Sequence, residues 1–340
     1  MKTSILSLFF CVITHFLSAQ NSDSSQYYFN EGVASNNSRL YAMASKNFEK
    51  AIFHNPNFVD AYIKNGQVNL EMSRVYEASQ NFEKAYQLQP ENNEVIKELT
   101  QLYFNNRQYQ KAIDLVEKRI GCENSDEIKG IGYYHLEDYG KAREYLLKAI
   151  SKNNKDAQAH YTLGRTFLEL ENEKGAISAY VNAIDLDSTK FQWKYELGLI
   201  FYNQNDYKNA LKYFDAAAAS GLNKNNDFLE NYGFAKVYNG EVETGISTLE
   251  TVLKKKPNNT ELLNNIANAM YTTKRYESAL FYFEKLLTIN PKDASSLFMA
   301  GMTFQKMGQK AKGEKICDKA IEMDPSLAKN RQKKEMPMGL

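Results

Sequence analysis

Apolar residues recur three and four apart over most of this chain, the spacing that lines up side chains on one face of an α-helix. Short polar clusters interrupt these stripes at regular intervals, so the expectation is a run of amphipathic helices of similar length joined by short turns. Composition agrees, since Gly (17) and Pro (6) are few in 340 residues and strong helix formers dominate.

A second, longer period organises the helices. A small residue opens every other helix, at Ala44, Ala78, Ala112, Ala142, Ala176, Ala210, Gly245, Ala279 and Gly313. Most of these steps equal a period of about 34 residues. Four residues further on comes a bulky apolar slot, held by Phe48, Phe82, Val116, Leu146, Tyr180, Phe214, Leu249, Phe283 and Cys317. Three beyond that lies another packing slot: Ala51, Ala85, Arg119, Ala149, Ala183, Ala217, Val252, Leu286 and Ala320. Pro56, Pro90, Pro257, Pro291 and Pro325 then close five of the units. The helix before each of these carries its own small residue, such as Gly32, Gly66, Gly164, Gly198 and Gly301, with Thr100 as the bulkiest.

Physical reasons tie these slots together. Two antiparallel helices approach closely only where facing side chains are tiny, and the bulky residue one turn on fills the gap to the next helix. Proline cannot continue a helix and moves its predecessor out of the α region, so it ends the unit. A single helix pair cannot bury its apolar face, whereas a stack of them can.

The segment His160-Tyr161-Thr162-Leu163-Gly164-Arg165-Thr166-Phe167, followed by Ala176, Tyr180 and Ala183, resembles the tetratricopeptide repeat pattern W-x-x-L-G-x-x-Y…A-x-x-x-F. His stands in the Trp place and Phe in the Tyr place. The resemblance extends from about Ser25 to Pro325. It implies an all-α fold, a right-handed α-solenoid superhelix of about nine helix-turn-helix repeats, with first helices lining a concave groove. Repeats one to three are expected over 25–122, four to six over 123–222 and seven to nine over 223–325. A capping helix and tail, ending at Pro337, occupy 326–340.

Two steps break the period. Ala112 to Ala142 is short, and there a helix ending near Ile120-Gly121 and a tight link from Cys122 to Ser125 are expected. The step from Ala210 to Gly245 is one residue longer than the period, with Gly221 suited to a helix C-cap. These are either hinges or repeat drift.

Charge narrows the partners. Lys and Arg (42) nearly balance Asp and Glu (41), which leaves no basic stripe of the kind nucleic acid or an anionic membrane requires. Residues 1–19 read as an export signal, with Lys2, an apolar run from Ile5 to Leu17 and Leu17-Ser18-Ala19 before Gln20. The run is short of a comfortable membrane span, and a retained anchor is the alternative. Without it the chain has no integral membrane segment, and the expected location is the periplasm or the outer membrane's neighbourhood. Cys122 and Cys317 fall in distant repeats, so no disulfide between them is expected.

Catalytic patterns are missing from the sequence. Gly130-Ile131-Gly132 lacks the third glycine of a phosphate loop, and His15, His54, His135 and His160 are not spaced as metal ligands. The expectation is a non-enzymatic chain without cofactor or metal. First-helix positions not used for packing include Tyr134, Tyr161, Arg165, Tyr195, Tyr202, Phe234, Tyr238, Tyr271 and Phe298, with Asn231, Asn265 and Asn268 adding amides. Tyrosine gives contact area at low entropic cost, and amides can clamp an extended backbone. These side chains form the expected binding face for a protein or peptide, though some Tyr residues can instead complete packing between repeats. The reading is a scaffold or adaptor of a bacterial envelope, or alternatively a ligand-sensing module that changes curvature. Its oligomeric state is not encoded.

Overall fold

The computed structural model describes residues 23–117 and 124–329, and all regular structure among them is helical. The signal segment 1–19, the Arg119 slot, the link around Ile120, Gly121 and Cys122, and the tail with Pro337 lie outside the described residues. Helix α1 spans 23–37. It is followed by α2 (Tyr41–His54), α3 (Val59–Glu71), α4 (Val75–Leu88), α5 (Asn93–Asn105), α6 (Tyr109–Glu117), α7 (Ser125–His135), α8 (Tyr139–Lys152) and α9 (Ala157–Glu169). The second half contains α10 (Glu173–Leu186), α11 (Phe191–Asn203), α12 (Tyr207–Ala219), α13 (Asn226–Tyr238), α14 (Val242–Lys255), α15 (Thr260–Thr272), α16 (Tyr276–Ile289), α17 (Ala294–Lys306) and α18 (Lys310–Met323). Two compact units divide the chain, Met1–Asn172 and Glu173–Leu340. No helix among the described residues is long and apolar enough to cross a membrane.

Within each unit, sequence neighbours pack as hairpins and each hairpin packs on the next, the solenoid arrangement the spacing predicts. The small-residue slots set the distance between partners. A Cβ on Gly198 would stand 2.6 Å from the Phe214 ring, and that ring is wholly buried. Gly245 is less forgiving: its Cβ would meet the Gly233 carbonyl at 2.7 Å, backbone that cannot rotate aside as a side chain can. Phe48, Phe82, Leu146, Leu249 and Phe283 repeat the ring-or-branch contact and are fully buried. Cys317 takes the same place in α18, buried against Phe298, Met302, Ala320 and Leu327. Leu327 belongs to a 3-10 turn, Pro325–Leu327, and packs against the apolar end of the last hairpin.

The turns inside the hairpins share one geometry. At the end of α3, Ser73 N–H donates to Leu70 O and Arg74 N–H to Asn69 O, with Ser73 in the left-handed region at φ 59°. This nested pair satisfies the helix's last carbonyls. The same pair recurs around Arg39, Arg107, Glu137, Glu171, Asn205, Gly240, Lys274 and Gly308, all at positive φ. Gly221 closes α12 in the same manner, with Leu222 N–H donating to Ala217 O at φ 100°. Its counterparts at the ends of α2, α8, α16 and α18 instead leave through an extended C-cap residue. The one-residue lengthening of that period therefore accommodates a different turn, and Gly221 is the C-cap glycine its position suggests.

One slot is imperfect. The Thr100 hydroxyl is buried without a hydrogen-bond partner, a cost of about 1–3 kcal/mol.

Three substitutions rank these contacts. Gly240→Ala meets no neighbour and should cost only about 1 kcal/mol, for left-handed backbone with a Cβ. Gly198→Ala must displace Phe214 and should cost about 1–3 kcal/mol. Phe283→Ala empties a fully buried slot and should cost about 3–5 kcal/mol. Urea denaturation of the three variants checks the order, and Gly198→Ala proving as mild as Gly240→Ala would refute the spacing role.

Candidate functional site

Unit Glu173–Leu340 holds a hollow of about 300 Å³ on its first helices. Tyr202 comes from α11, Glu230, Asn231, Phe234 and Tyr238 from α13, and Asn265 and Asn268 from α15. Glu230, Phe234 and Tyr238 are four apart and so share one stripe of α13. Asn225 fixes where that stripe begins: its side chain accepts the Phe228 N–H and caps the helix. Asn259 does the same for α15 through the Leu262 N–H.

Hydrogen bonds and rings hold the walls in place. Asn231 donates from Nδ2 to the Tyr195 hydroxyl at 2.9 Å, and the Tyr195 ring leans on Phe214 and Phe228 at 5.5 and 5.8 Å. Tyr195 is thus the support behind Asn231 and half-buried itself. Tyr202 meets Tyr207 edge-on at 5.6 Å, and Tyr207 stacks on Tyr238 at 5.1 Å. Burial, followed by the Tyr238 and Tyr207 phenols, pushes the Tyr202 hydroxyl up to about 12, so it stays protonated at neutral pH and can both donate and accept. Burial, then Asp227 and Glu261, raises Glu230 above the usual carboxylate range, with Lys256 opposing them.

Tyr202, Asn231, Phe234, Asn265 and Asn268 thus line one hollow, with Phe234 buried at its floor. Tyr271 lies beyond the hollow, edge-on to Tyr276 at 5.8 Å. Phe298 is buried in the terminal core with Met302 and Cys317, where it completes packing. Glu230 escaped the sequence reading. The signal for it was present, since it precedes Phe234 by one helical turn, but an acidic residue on a helix surface is too common to stand out.

Unit Met1–Asn172 collects the other three residues. The Arg165 guanidinium lies 4.9 Å over the Tyr134 ring and 5.8 Å from Tyr161. Tyr134 is buried, so its ring serves packing as much as surface. His135 stacks on Tyr109 at 4.4 Å, and burial, then Arg165 and Arg107, lower its pKa. His160 is buried in its aromatic slot, with Nε2 3.2 Å from the Asn154 carbonyl. A larger hollow of about 480 Å³ opens beside Asn36, Arg39, Gln67 and Glu98. Its polar groups already serve one another, as Gln67 donates to Glu94 and Glu98 at 3.2 and 3.0 Å. Among the described residues no three His, Cys, Asp or Glu side chains are placed to hold a metal ion.

One carboxylate in this unit is strongly shifted. Burial, then the charge and hydrogen bond of Asp156, push Glu127 up to about 7. Its folded-state pKa lies above the unfolded value, so the folded chain keeps a proton that the unfolded chain releases. Stability is then greatest below the unfolded pKa and declines as pH rises toward 7.

Models of tetratricopeptide repeats match residues 129–191, 260–293 and 294–327. A model of YpiA-like, C-terminal tetratricopeptide repeats matches 191–259. A repeat-containing protein of Methanocaldococcus jannaschii is 28% identical over 222 residues, which is 60% of this chain and 38% of that protein. The peroxisomal targeting signal receptor of Saccharomyces cerevisiae is 22% identical over 255 residues, 72% of this chain and 36% of the receptor. The chain thus spans well under half the length of these curated relatives. Among solved structures, the C-terminal part of a tetratricopeptide repeat-containing protein from Cytophaga hutchinsonii has a TM-score of 0.51 at 22% identity, over 70% of this chain and 98% of that one. That likeness is one of fold.

Two measurements check the site. Tyr195→Phe keeps the ring and loses the Asn231 bond, and should cost about 1 kcal/mol in chemical denaturation. Glu127→Gln should remove the decline in thermal stability between about pH 4.5 and about pH 7. The difference between wild type and variant should reach about 1 kcal/mol after allowance for solvent screening. A difference that does not change with pH would mean that Glu127 titrates normally.

Proposed function

The chain belongs to the tetratricopeptide repeat family, and from that premise we propose that it is a non-enzymatic scaffold or adaptor that holds a protein segment on its first helices, in the envelope of a bacterium. The repeat fold is an interaction fold, and the observation that carries the finer reading is the hollow walled by Asn231, Asn265, Asn268, Tyr202, Phe234 and Tyr238. Amides both donate and accept, so neighbouring Asn side chains suit the backbone of an extended peptide. Half-buried tyrosines add rigid contact area with a polar tip. Pre-set walls, tied by the Asn231–Tyr195 bond and the Tyr202–Tyr207–Tyr238 stack, lower the ordering cost of binding. The yeast relative is a targeting-signal receptor, a recognition role of the same kind.

Export supports the placement, because residues 1–19 have the charge, apolar run and small-residue site of a cleaved leader. N-terminal sequencing of protein recovered from the envelope fraction should begin at Gln20. Recovery in the cytoplasm with Met1 retained would remove the envelope reading.

Crosslinking in intact cells tests the binding face. A photoreactive side chain at Tyr202 should yield a specific protein adduct, and one at Phe281, exposed on α16, should not. Adducts from Phe281 alone would move the function to the second helices.

A further inference from the structure

The hollow of unit Glu173–Leu340 also has a chemical polarity. Its one charged lining group is Glu230. Asn231 spends one N–H on the Tyr195 hydroxyl, which leaves its carbonyl oxygen and a second N–H for a ligand. Glu230 on the same helix is a carboxylate and accepts only. No Lys, Arg or His lines the hollow. The charges of Asp227 and Glu261 bear on Glu230 as well, and only Lys256 counters them. Negative potential gathered at a partly buried site attracts a cation more strongly than the same charges would in open water.

The remaining wall is aromatic. Tyr238 is half-buried and stacks at 6.4 Å on Phe234, which is itself buried in the core, and Tyr202 closes the side. Aromatic faces attract cations, most of all flat ones that can stack. An acidic segment would bring its carboxylates against Glu230, and a purely apolar one would leave Glu230 and three amides facing it without partners.

We propose that this hollow takes an arginine side chain of the bound protein segment, with its guanidinium paired to Glu230 and the Asn231 carbonyl and lying against Tyr202 and Tyr238. Guanidinium suits the site better than ammonium. It is planar, weakly hydrated and carries five donors in a fixed fork, where lysine is a compact, strongly hydrated point charge. A hollow of about 300 Å³ that is open on one side admits the side chain while the main chain stays on the amide row. The inference rests on the proposed binding face and adds the residue class that the face selects.

The test is calorimetric titration of the full chain with the peptide Ac-Gly-Ser-Arg-Ser-Gly-NH2 and with its citrulline and lysine counterparts. Citrulline keeps the shape of arginine and removes its charge. The arginine peptide should bind about tenfold more tightly than the citrulline peptide, and the lysine peptide should fall between them. Glu230→Gln should weaken the arginine peptide by about tenfold and leave the citrulline peptide unchanged, with its melting curve confirming an intact fold. Equal affinities for arginine and citrulline, equal affinities for arginine and lysine, indifference to Glu230→Gln, or no binding of the arginine peptide would each overturn the assignment. The two levels separate cleanly. A protein adduct from Tyr202 with no arginine preference sinks the arginine assignment alone, whereas loss of both the adduct and the peptide binding sinks the binding face with it.

Discussion

A ring pressed into the space left by a missing Cβ is the contact on which this molecule depends. Gly66 against Phe82 and Gly198 against Phe214 leave no room for even one more carbon, and the bulky partner is buried each time. The spacing between the two helices of a hairpin follows from that contact. So does the choice of which first-helix residues are covered by the second helix and which are left over. The stripe of α13 that borders the hollow is Glu230, Phe234 and Tyr238, with Phe234 itself buried in the core, while the other stripe of the same helix is consumed by Gly233 against Gly245 and Leu249. Stability and recognition are thus two faces of one packing decision.

The two units spend their aromatic residues differently. In Met1–Asn172, Arg165 lies over Tyr134 and Tyr161, and Gln67 is engaged by Glu94 and Glu98. A ligand there must first break contacts the protein makes with itself. In Glu173–Leu340 the tyrosines brace one another from behind, and the Glu230 carboxylate faces like charges. Arg165 supplies the first surface with a cation from within, while in the second the Glu230 carboxylate meets two like charges and a single opposing Lys256.

Much of this was readable before any coordinates. The small-then-bulky spacing named the packing slots one by one, because a Gly or Ala followed four residues later by a ring has no other common use on a helix. The hairpin turns were not readable. Only Gly240 and Gly308 advertise a left-handed residue; Ser73, Arg107, Glu137 and Lys274 adopt the same conformation because two backbone hydrogen bonds impose it. For the site, Asn231, Asn265 and Asn268 stood out as amides on adjoining first helices. Tyr134 and Phe298 show where stripe-reading fails. An aromatic on the border between the packed and open stripes has the same sequence signature either way, and here both turned inward. Glu230 was hidden for the opposite reason, since its neighbours rather than its type make it unusual.

Those shared turns have a further consequence. Main-chain hydrogen bonds close each turn, and a side chain joins them at Asn205, whose Oδ1 accepts from the Tyr207 hydroxyl. Arg39, Ser73, Arg107, Glu137 and Glu171 therefore sit in equivalent places in one unit, and Asn205, Gly240, Lys274 and Gly308 in the other, with basic, acidic and small polar side chains and glycine all represented. Each hairpin tip is a blank tile whose charge evolution can repaint without disturbing the masonry beneath.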